Sequence, residues 1–248
     1  MLAGISADPK GDTTPMALKN VYAKAAQTVG KGLTSARLLP ATVPPRDARL
    51  RHWAFTLPRV HDVRAMNELD MPWWTYRAIS YVDAWLSARP HPIRAFEYGS
   101  GASTAYLRRR VDEIHSVENH QGFADFIAPM LAEAGEVDLT VREGVPSQHP
   151  VIGSHKPGYE NQDFADYVAV IDEVGGLFDL IVIDGRAREA CLERAVPHLA
   201  DDGIIVFDNT HRARYKEAIA KSGLHERRMF GLTPTLPYPD QTSILTKD

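Results

Sequence analysis

The sequence has little cysteine, no long hydrophobic run and no excess of positive charge, and each lack excludes a class of protein. Its one cysteine, Cys191, can form neither a disulfide within the chain nor a cysteine-based zinc site. Apolar runs such as 203–207 are about five residues long, whereas a bilayer-spanning helix needs about 20. Lys and Arg number 28 against 32 Asp and Glu, a formal net charge of −4, so no overall basic field exists to hold nucleic acid.

The first residues do not predict a secretory signal. Residues 1–8 show neither a charged start nor the apolar stretch of a secretory signal. We therefore expect a cytoplasmic protein that binds neither a membrane nor nucleic acid.

The composition is typical of a globular protein with one main domain. The chain has 248 residues, of which 44% are hydrophobic and 24% charged. Residues 1–71 differ from the rest: a polar start, one candidate amphipathic helix over 16–29, then a proline-rich break at 40–45. We predict that 1–71 form a partly helical or mobile N-terminal arm, serving as a lid or an oligomer contact, and that 72–248 form the functional domain.

From Pro72 onward the hydrophobic pattern predicts strands that alternate with helices. The predicted strands are 94–97, 114–118, 137–141, 178–183, 203–207, 224–229 and 242–245, and a helix opening at Pro72 precedes the first of them. Alternation at this spacing is typical of a parallel sheet with helices on both faces. The last two strands are too close in sequence for a helix, so we expect them to pair antiparallel. The predicted fold is a doubly wound α/β domain with seven strands and a C-terminal hairpin.

The first strand ends in a glycine turn that predicts a ligand site. It reads Glu97-Tyr98-Gly99-Ser100-Gly101-Ala102-Ser103-Thr104. In such sheets ligands bind beyond the carboxyl ends of the strands, and glycines allow the backbone to approach them closely. Thr104 stands where a dinucleotide fingerprint has its third glycine, and Glu97 suits an ammonium group better than two phosphates. A nicotinamide-dependent oxidoreductase is therefore disfavoured.

A second carboxylate follows the next predicted strand. Glu118 ends the segment Ser116-Val117-Glu118, where an acid can accept hydrogen bonds from both hydroxyls of a ribose. Together with the glycine turn, it predicts that the ligand carries a nucleoside.

These motifs, followed by Phe178-Asp-Leu-Ile-Val-Ile-Asp-Gly185, resemble the class I S-adenosylmethionine-dependent methyltransferases over about residues 73–248. The resemblance implies a Rossmann-like methyltransferase fold and S-adenosylmethionine as cofactor. It also implies a subsite for each part of the cofactor: the methionyl part at Glu97, Gly99, Ser100, Gly101 and Ser103, the ribose at Glu118, and the adenine at Glu143, Gly144 and Val145. Trp73–Tyr76 either covers the methionine end or belongs to the aromatic core.

Oxygen-bearing side chains also follow the fourth and fifth predicted strands. Asp184, Asp208 and Asn209 form a donor set that suits Mg²⁺, and the arrangement is similar to the cation-dependent, sugar-type O-methyltransferases. That resemblance implies a metal at these three residues, which would help to deprotonate and position the acceptor. In the alternative, Asp184 only orients the cofactor and Asp208 pairs with an arginine such as Arg186 or Arg212.

The remaining candidates concern the proton and the acceptor. His211 or Asp184 is the predicted general base. The polar insert 146–159 is predicted to recognise the acceptor through His155 or Tyr159, with Arg186 binding acceptor hydroxyls or a carboxylate. The polarity of this insert favours a saccharide over a flat phenol.

We therefore expect an O-methyltransferase that acts on a small hydroxylated acceptor with the help of Mg²⁺. A homo-oligomer is compatible with the sequence. Two alternatives stay open: a metal-independent methyltransferase acting on an N or O acceptor, and an inactive nucleoside-binding module.

Overall fold

The computed structural model describes residues 42–60 and 62–247 as a sheet with helices on both faces. The helices are α1 (Arg49–Thr56), α2 (Val63–Glu68), α3 (Tyr76–Ala88), α4 (Ala102–Arg108), α5 (Gln121–Ala134), α6 (Ala165–Val174), α7 (Arg188–Ala195) and α8 (Ala213–Lys221). Short 3₁₀ turns at Leu57–Arg59 and Val196–His198 follow α1 and α7. The strands are β1 (Arg94–Tyr98), β2 (Glu113–Glu118), β3 (Asp138–Val141), β4 (Val145–Pro146), β5 (Gln162–Asp163), β6 (Phe178–Ile183), β7 (Leu199–Asp208), β8 (His225–Leu232) and β9 (Pro239–Thr246).

Seven strands form one sheet in the order β3-β2-β1-β6-β7-β9-β8. The first five are parallel, while β9 runs antiparallel to both β7 and β8. The strand order reverses between β1 and β6, so the carboxyl ends of these neighbours border the crevice in which ligands of such sheets bind. The predicted fold class, with its terminal hairpin, is confirmed.

Each face of the sheet buries its own hydrophobic cluster. In β6, Leu180 and Val182 belong to the cluster that includes α3, α4 and α5. Ile181 and Ile183 belong to the cluster on the opposite face, with α6, α7 and α8. Successive side chains of a strand point to opposite faces, and this strand is apolar on both because both are covered.

Several element boundaries differ from the predicted ones. Helix α3 begins at Tyr76 rather than at Pro72, because Thr75 has extended backbone and its hydroxyl accepts a hydrogen bond from the amide of Ala78. Strand β7 begins at Leu199, and the strands of the terminal hairpin are longer than predicted. Strands β4 and β5 are too short to be visible in the sequence pattern.

The described part of the N-terminal arm packs on the domain. The Trp53 indole donates to the carbonyl oxygen of Leu236 at 2.7 Å, and the Thr56 hydroxyl accepts from the amide of Thr235 at 2.9 Å. The arm therefore covers the loop between β8 and β9. The helix predicted over 16–29 lies outside the described residues. Within 42–60 and 62–247, no helix combines the length and hydropathy needed to cross a membrane.

Candidate functional site

The turns that follow β1 and β6 touch each other at the carboxyl edge of the sheet. Gly99 has a φ of +96°, and a Cβ there would lie 2.6 Å from the Cα of Gly185. A Cβ on Gly185 would lie 2.0 Å from the hydroxyl of buried Tyr167. Only glycine satisfies both the close approach and the positive φ at position 99. The glycine turn is thus fixed directly against the loop that begins at Asp184.

Glu97 is the centre of the glycine turn. Its side chain is fully buried, and its carboxylate accepts hydrogen bonds from Ser103 and Thr104 at 2.5 Å each and from Ser116 at 2.9 Å. The Thr104 hydroxyl also accepts from the amide of Gly101 at 2.8 Å, which links the carboxylate to the turn. Burial raises the pKa of Glu97 to about 7, although the three hydroxyl donors favour its ionised form. Glu97 and Ser103, both predicted cofactor residues, therefore lie together and shape the turn.

Glu118 approaches the same turn from β2. Its carboxylate accepts from the amide of Ser100 at 3.2 Å and is 5% exposed. Burial raises the pKa of Glu118 to about 7, while the positive charge of Arg186 and backbone donors act in the opposite direction. The structure thus places the predicted ribose acid beside the predicted methionyl turn.

Open space lies above this turn. A Cβ added to Gly101 would meet no atom within 4 Å, unlike one added to Gly99. The residues predicted for adenine follow β3 at the same edge, where Glu143 accepts from the amide of Gln121 and Val145 is half exposed. The turn, Glu118 and the residues that follow β3 therefore lie along the same edge of the sheet.

An arginine side chain lies among the residues that were predicted to bind Mg²⁺. Arg188 is 3% exposed, and its guanidinium donates to the Asp184 carboxylate at 2.7 Å and to Asn209 Oδ1 at 3.2 Å. The Asp208 carboxylate accepts instead from Thr242 and from Asn209 Nδ2, at 2.7 and 2.6 Å.

This donor set does not fit a divalent cation, because a fixed positive charge already lies between its members. Across the described residues, no group of three or more His, Cys, Asp or Glu side chains is arranged to hold a metal ion. The prediction of Mg²⁺ at Asp184, Asp208 and Asn209 finds no support in this geometry. The arginine is Arg188, whereas the sequence analysis named Arg186 or Arg212 as the alternative partner of Asp208.

His211 lies beyond β7 and is held by a buried carboxylate. Its Nδ1 is 2.9 Å from Oδ1 of Asp240; the imidazole is 54% exposed and the aspartate side chain 2% exposed. Asp240 also accepts from Asn209 Nδ2 at 3.0 Å. With Nδ1 donating to Asp240, Nε2 is the ring nitrogen that can accept a proton, so the pair has the arrangement of an oriented base.

Asp240 was missed by the sequence analysis, which read its surroundings as a connection between strands. The antiparallel register that pairs Asp208 with Thr242 carries Asp240 past the end of β7, next to residues 209–211. Only this register indicates that Asp240 lies at the site, and the register is known only once the pairing of β7 with β9 is known.

The polar insert after β3 is an ordered loop. Strands β4 and β5 close its base, and the Asp163 carboxylate accepts from the amides of Val151 and Ile152 at 2.6 and 3.2 Å. Two of the predicted acceptor residues meet here, since the guanidinium of Arg186 lies 5.0 Å from the ring centroid of Tyr159.

The other predicted acceptor residue lies near Arg186, whereas the aromatic segment belongs to the core. His155 is exposed, with its Nε2 3.6 Å from a carboxylate oxygen of Glu189. Trp74 and Tyr76 are core residues, in agreement with the core interpretation of Trp73–Tyr76.

The chain is similar to several solved structures at low sequence identity. A search of curated proteins found no match. Among solved structures, a TehB-like SAM-dependent methyltransferase from Corynebacterium glutamicum is 16% identical, with 79% of this chain and 99% of that chain covered and a TM-score of 0.47. The precorrin-6y C5,15-methyltransferase of Geobacter metallireducens is 12% identical, over 69% and 88% of the two chains, with a TM-score of 0.47. An rRNA methylase from Streptococcus thermophilus is 10% identical, over 69% and 98%, with a TM-score of 0.46.

A family model described as a methyltransferase domain matches residues 96–210, which run from β1 to the residues just after β7. This range contains the glycine turn, Glu118 and the loop that begins at Asp184. Residues 96–210 are therefore similar to a methyltransferase domain.

Proposed function

We propose that this protein methylates a hydroxyl group of a small polar acceptor, of the saccharide type, with His211 as the general base. The observation that carries the proposal is the His211–Asp240 pair, an exposed imidazole held by a buried carboxylate at the carboxyl edge of the sheet. A hydroxyl group is a weak nucleophile until its proton is removed, so an oriented base suits this acceptor.

Residues of three strand ends would hold the cofactor. The glycine turn, ordered by Glu97, would take the methionyl part, Glu118 the ribose, and residues 143–145 the adenine. The open space at Gly101 supports this fit. When bound, S-adenosylmethionine supplies an electrophilic methyl group on a sulfonium.

His211 would take the acceptor's hydroxyl proton on Nε2 as the oxygen–methyl bond forms and the sulfur–methyl bond breaks, which would leave a neutral thioether. The imidazole then becomes positively charged, and the buried carboxylate of Asp240 stabilises that charge. Asp240 acts through His211 and is a positioning residue. General-base catalysis of this kind contributes about 10²- to 10⁴-fold in rate.

No step in this mechanism uses a metal. Arg188 lies where the sequence analysis expected Mg²⁺ and supplies a fixed positive charge between Asp184 and Asn209. Asp184 is therefore interpreted as the partner of Arg188 rather than as a base or a ligand. The proposed mechanism is therefore the metal-independent alternative of the sequence analysis, restricted to acceptors that are methylated on oxygen.

A saccharide-type acceptor is supported by the character of the ordered insert. Its side chains include Ser147, Gln148, His149, Ser154 and His155, which can exchange hydrogen bonds with several hydroxyl groups. A planar phenol would favour an apolar slot instead.

The test combines cofactor binding with methyl transfer. Calorimetry should give micromolar binding of S-adenosylhomocysteine, and a panel of saccharides should yield one or more acceptors, with equal rates in Mg²⁺ and in EDTA. His211→Gln should lower kcat about 10²-fold or more while cofactor affinity is unchanged. Asp240→Asn should lower kcat less and should move the pH profile of kcat, which a merely structural residue would not do.

Two outcomes would overturn the proposal. Absence of cofactor binding removes the methyltransferase mechanism altogether. Methyl transfer that EDTA abolishes and His211→Gln leaves unchanged would restore the metal-assisted mechanism.

A further inference from the structure

A small cavity lies beside the proposed base and is lined mainly by cationic side chains. Its volume is about 30 Å³, and its lining comes from the insert, from the loop after β6 and from the start of α8. We call it the basic cavity and define it by Lys156, Arg186, Arg188, Arg212 and Arg214.

The positive charge of the basic cavity exceeds the negative charge around it. Arg188 pairs with Asp184 at 2.7 Å, and Arg214 pairs with Glu189 at 3.3 Å. Glu189 is the one acidic residue in the lining. In the described part of the chain, neither Arg186 nor Arg212 has a carboxylate oxygen within 4 Å.

Three of these guanidinium groups lie around one aromatic ring. Those of Arg188, Arg212 and Arg214 lie 6.0, 5.6 and 4.7 Å from the ring centroid of buried Tyr215. Among the described residues, Nε of Arg186 and Nε of Arg212 are buried without a hydrogen-bond partner. Buried donors without partners are costly, so an anion is the ligand that would accept hydrogen bonds from them and balance the positive charge of the lining.

The chemistry of the cavity indicates which anion it would take. Planar guanidinium groups bind carboxylate and phosphate oxygens in pairs of hydrogen bonds. A cavity of about 10–15 Å³ holds one water molecule, so this one holds a group of a few atoms rather than a whole acceptor.

The basic cavity is connected to the rest of the site. Arg188 and Arg212 both donate to Asn209 Oδ1, at 3.2 and 3.4 Å. Asn209 donates in turn to Asp240, the partner of His211. On the other side, the cavity is lined by Gly185, which lies against the glycine turn.

We propose that the basic cavity binds a carboxylate or phosphate group of the acceptor, so that the substrate is an anionic hydroxylated compound. This inference rests on the proposed function. A bound anion would anchor the acceptor between the glycine turn and His211. The methionyl carboxylate of the cofactor has the same chemistry, and the experiment below separates the two sources.

The first arm measures binding without turnover. Inorganic phosphate is titrated into the full-length protein by calorimetry, alongside separate titrations of S-adenosylhomocysteine. Arg212→Gln should weaken phosphate binding at least tenfold and leave the affinity for S-adenosylhomocysteine unchanged. Arg228→Gln is the matched control, since Arg228 is an exposed arginine on β8 paired with Glu226, and it should change neither affinity. Lys156→Gln, in the insert, repeats the test if Arg212→Gln does not fold.

The second arm measures methyl transfer to glucose, glucuronate and glucose 6-phosphate. One or both anionic sugars should have a kcat/KM at least tenfold above that of glucose, and Arg212→Gln should remove this preference mainly through KM.

Three results would overturn the inference. In the first, phosphate competes with S-adenosylhomocysteine and Arg212→Gln weakens both, which assigns the cavity to the cofactor. In the second, Arg212→Gln and Arg228→Gln bind phosphate equally well. In the third, glucose is methylated as efficiently as the anionic sugars, which removes the acceptor assignment but leaves the proposed function standing. Phosphate binding that depends on Arg212, together with no methyl transfer to any acceptor, would instead support the anion site and count against the proposed function.

Discussion

Replacing Glu97 by glutamine should make the protein more stable than the wild type at pH 8, with nearly unchanged stability at pH 5. Burial raises the pKa of this carboxyl from 4.5 to about 7. Between these two pH values the folded chain keeps a proton that the unfolded chain has lost. The free energy of unfolding therefore falls as the pH rises through this window and levels off above it.

The size of the effect follows from the two pKa values. A change from 4.5 to about 7 corresponds to about 3 kcal/mol in full. Most of it, about 2 to 3 kcal/mol, is lost between pH 5 and pH 8. Glutamine has the shape of the protonated carboxyl and carries no charge, so Glu97→Gln should gain about this amount over the wild type at pH 8.

Urea unfolding at pH 5, 6, 7 and 8, without cofactor, measures this difference. Glu113→Gln is the control, since Glu113 lies at the exposed start of β2 and hydrogen bonds from Arg94 and His115 lower its pKa. It should not become more stable at pH 8. If Glu97→Gln is less stable than the wild type by the same amount at every pH, the carboxyl is ionised throughout, and the reasoning from burial is refuted.

Four further substitutions test the glycine turn, Arg188 and the N-terminal arm. Gly99→Ala should unfold at a much lower temperature than the wild type, because its Cβ would lie 2.6 Å from the Cα of Gly185. Gly101→Ala should unfold at the wild-type temperature, because its Cβ meets no atom within 4 Å, yet it should bind S-adenosylhomocysteine at least tenfold more weakly. Wild-type affinity in Gly101→Ala would contradict the cofactor placement. Arg188→Met should cost about 2–3 kcal/mol of stability in urea unfolding, because it removes a buried guanidinium that donates to the Asp184 carboxylate and to Asn209 Oδ1. A neutral result would show that this charge is dispensable. Trp53→Phe should cost about 1 kcal/mol and speed proteolysis of the N-terminal arm, since the indole's hydrogen bond to Leu236 is lost; an unchanged cleavage rate would mean that this contact does not hold the arm.

The sequence by itself determined the fold class and the position of the glycine turn and Glu118 at one edge of the sheet. Strands and helices leave hydrophobic patterns within a single segment of the sequence, so they can be predicted without knowing the fold. The strand predicted over 178–183 coincides with β6, because a strand that is buried on both faces is a continuous apolar run. The glycine turn and Glu118 were visible for a similar reason: each lies directly after a strand, and the carboxyl ends of parallel strands meet at one edge.

Tertiary structure decided which charges meet. From the sequence, Asp184, Asp208 and Asn209 formed an oxygen set for Mg²⁺, and only the fold shows that the guanidinium of Arg188 lies among them. The partner of His211, Asp240, lies 29 positions later in the chain, on a strand whose antiparallel register brings it back to the end of β7. Strand and helix patterns report burial along one segment, whereas ion pairing depends on the distance between segments. The chemistry of this site is therefore set by contacts that no single stretch of the sequence contains.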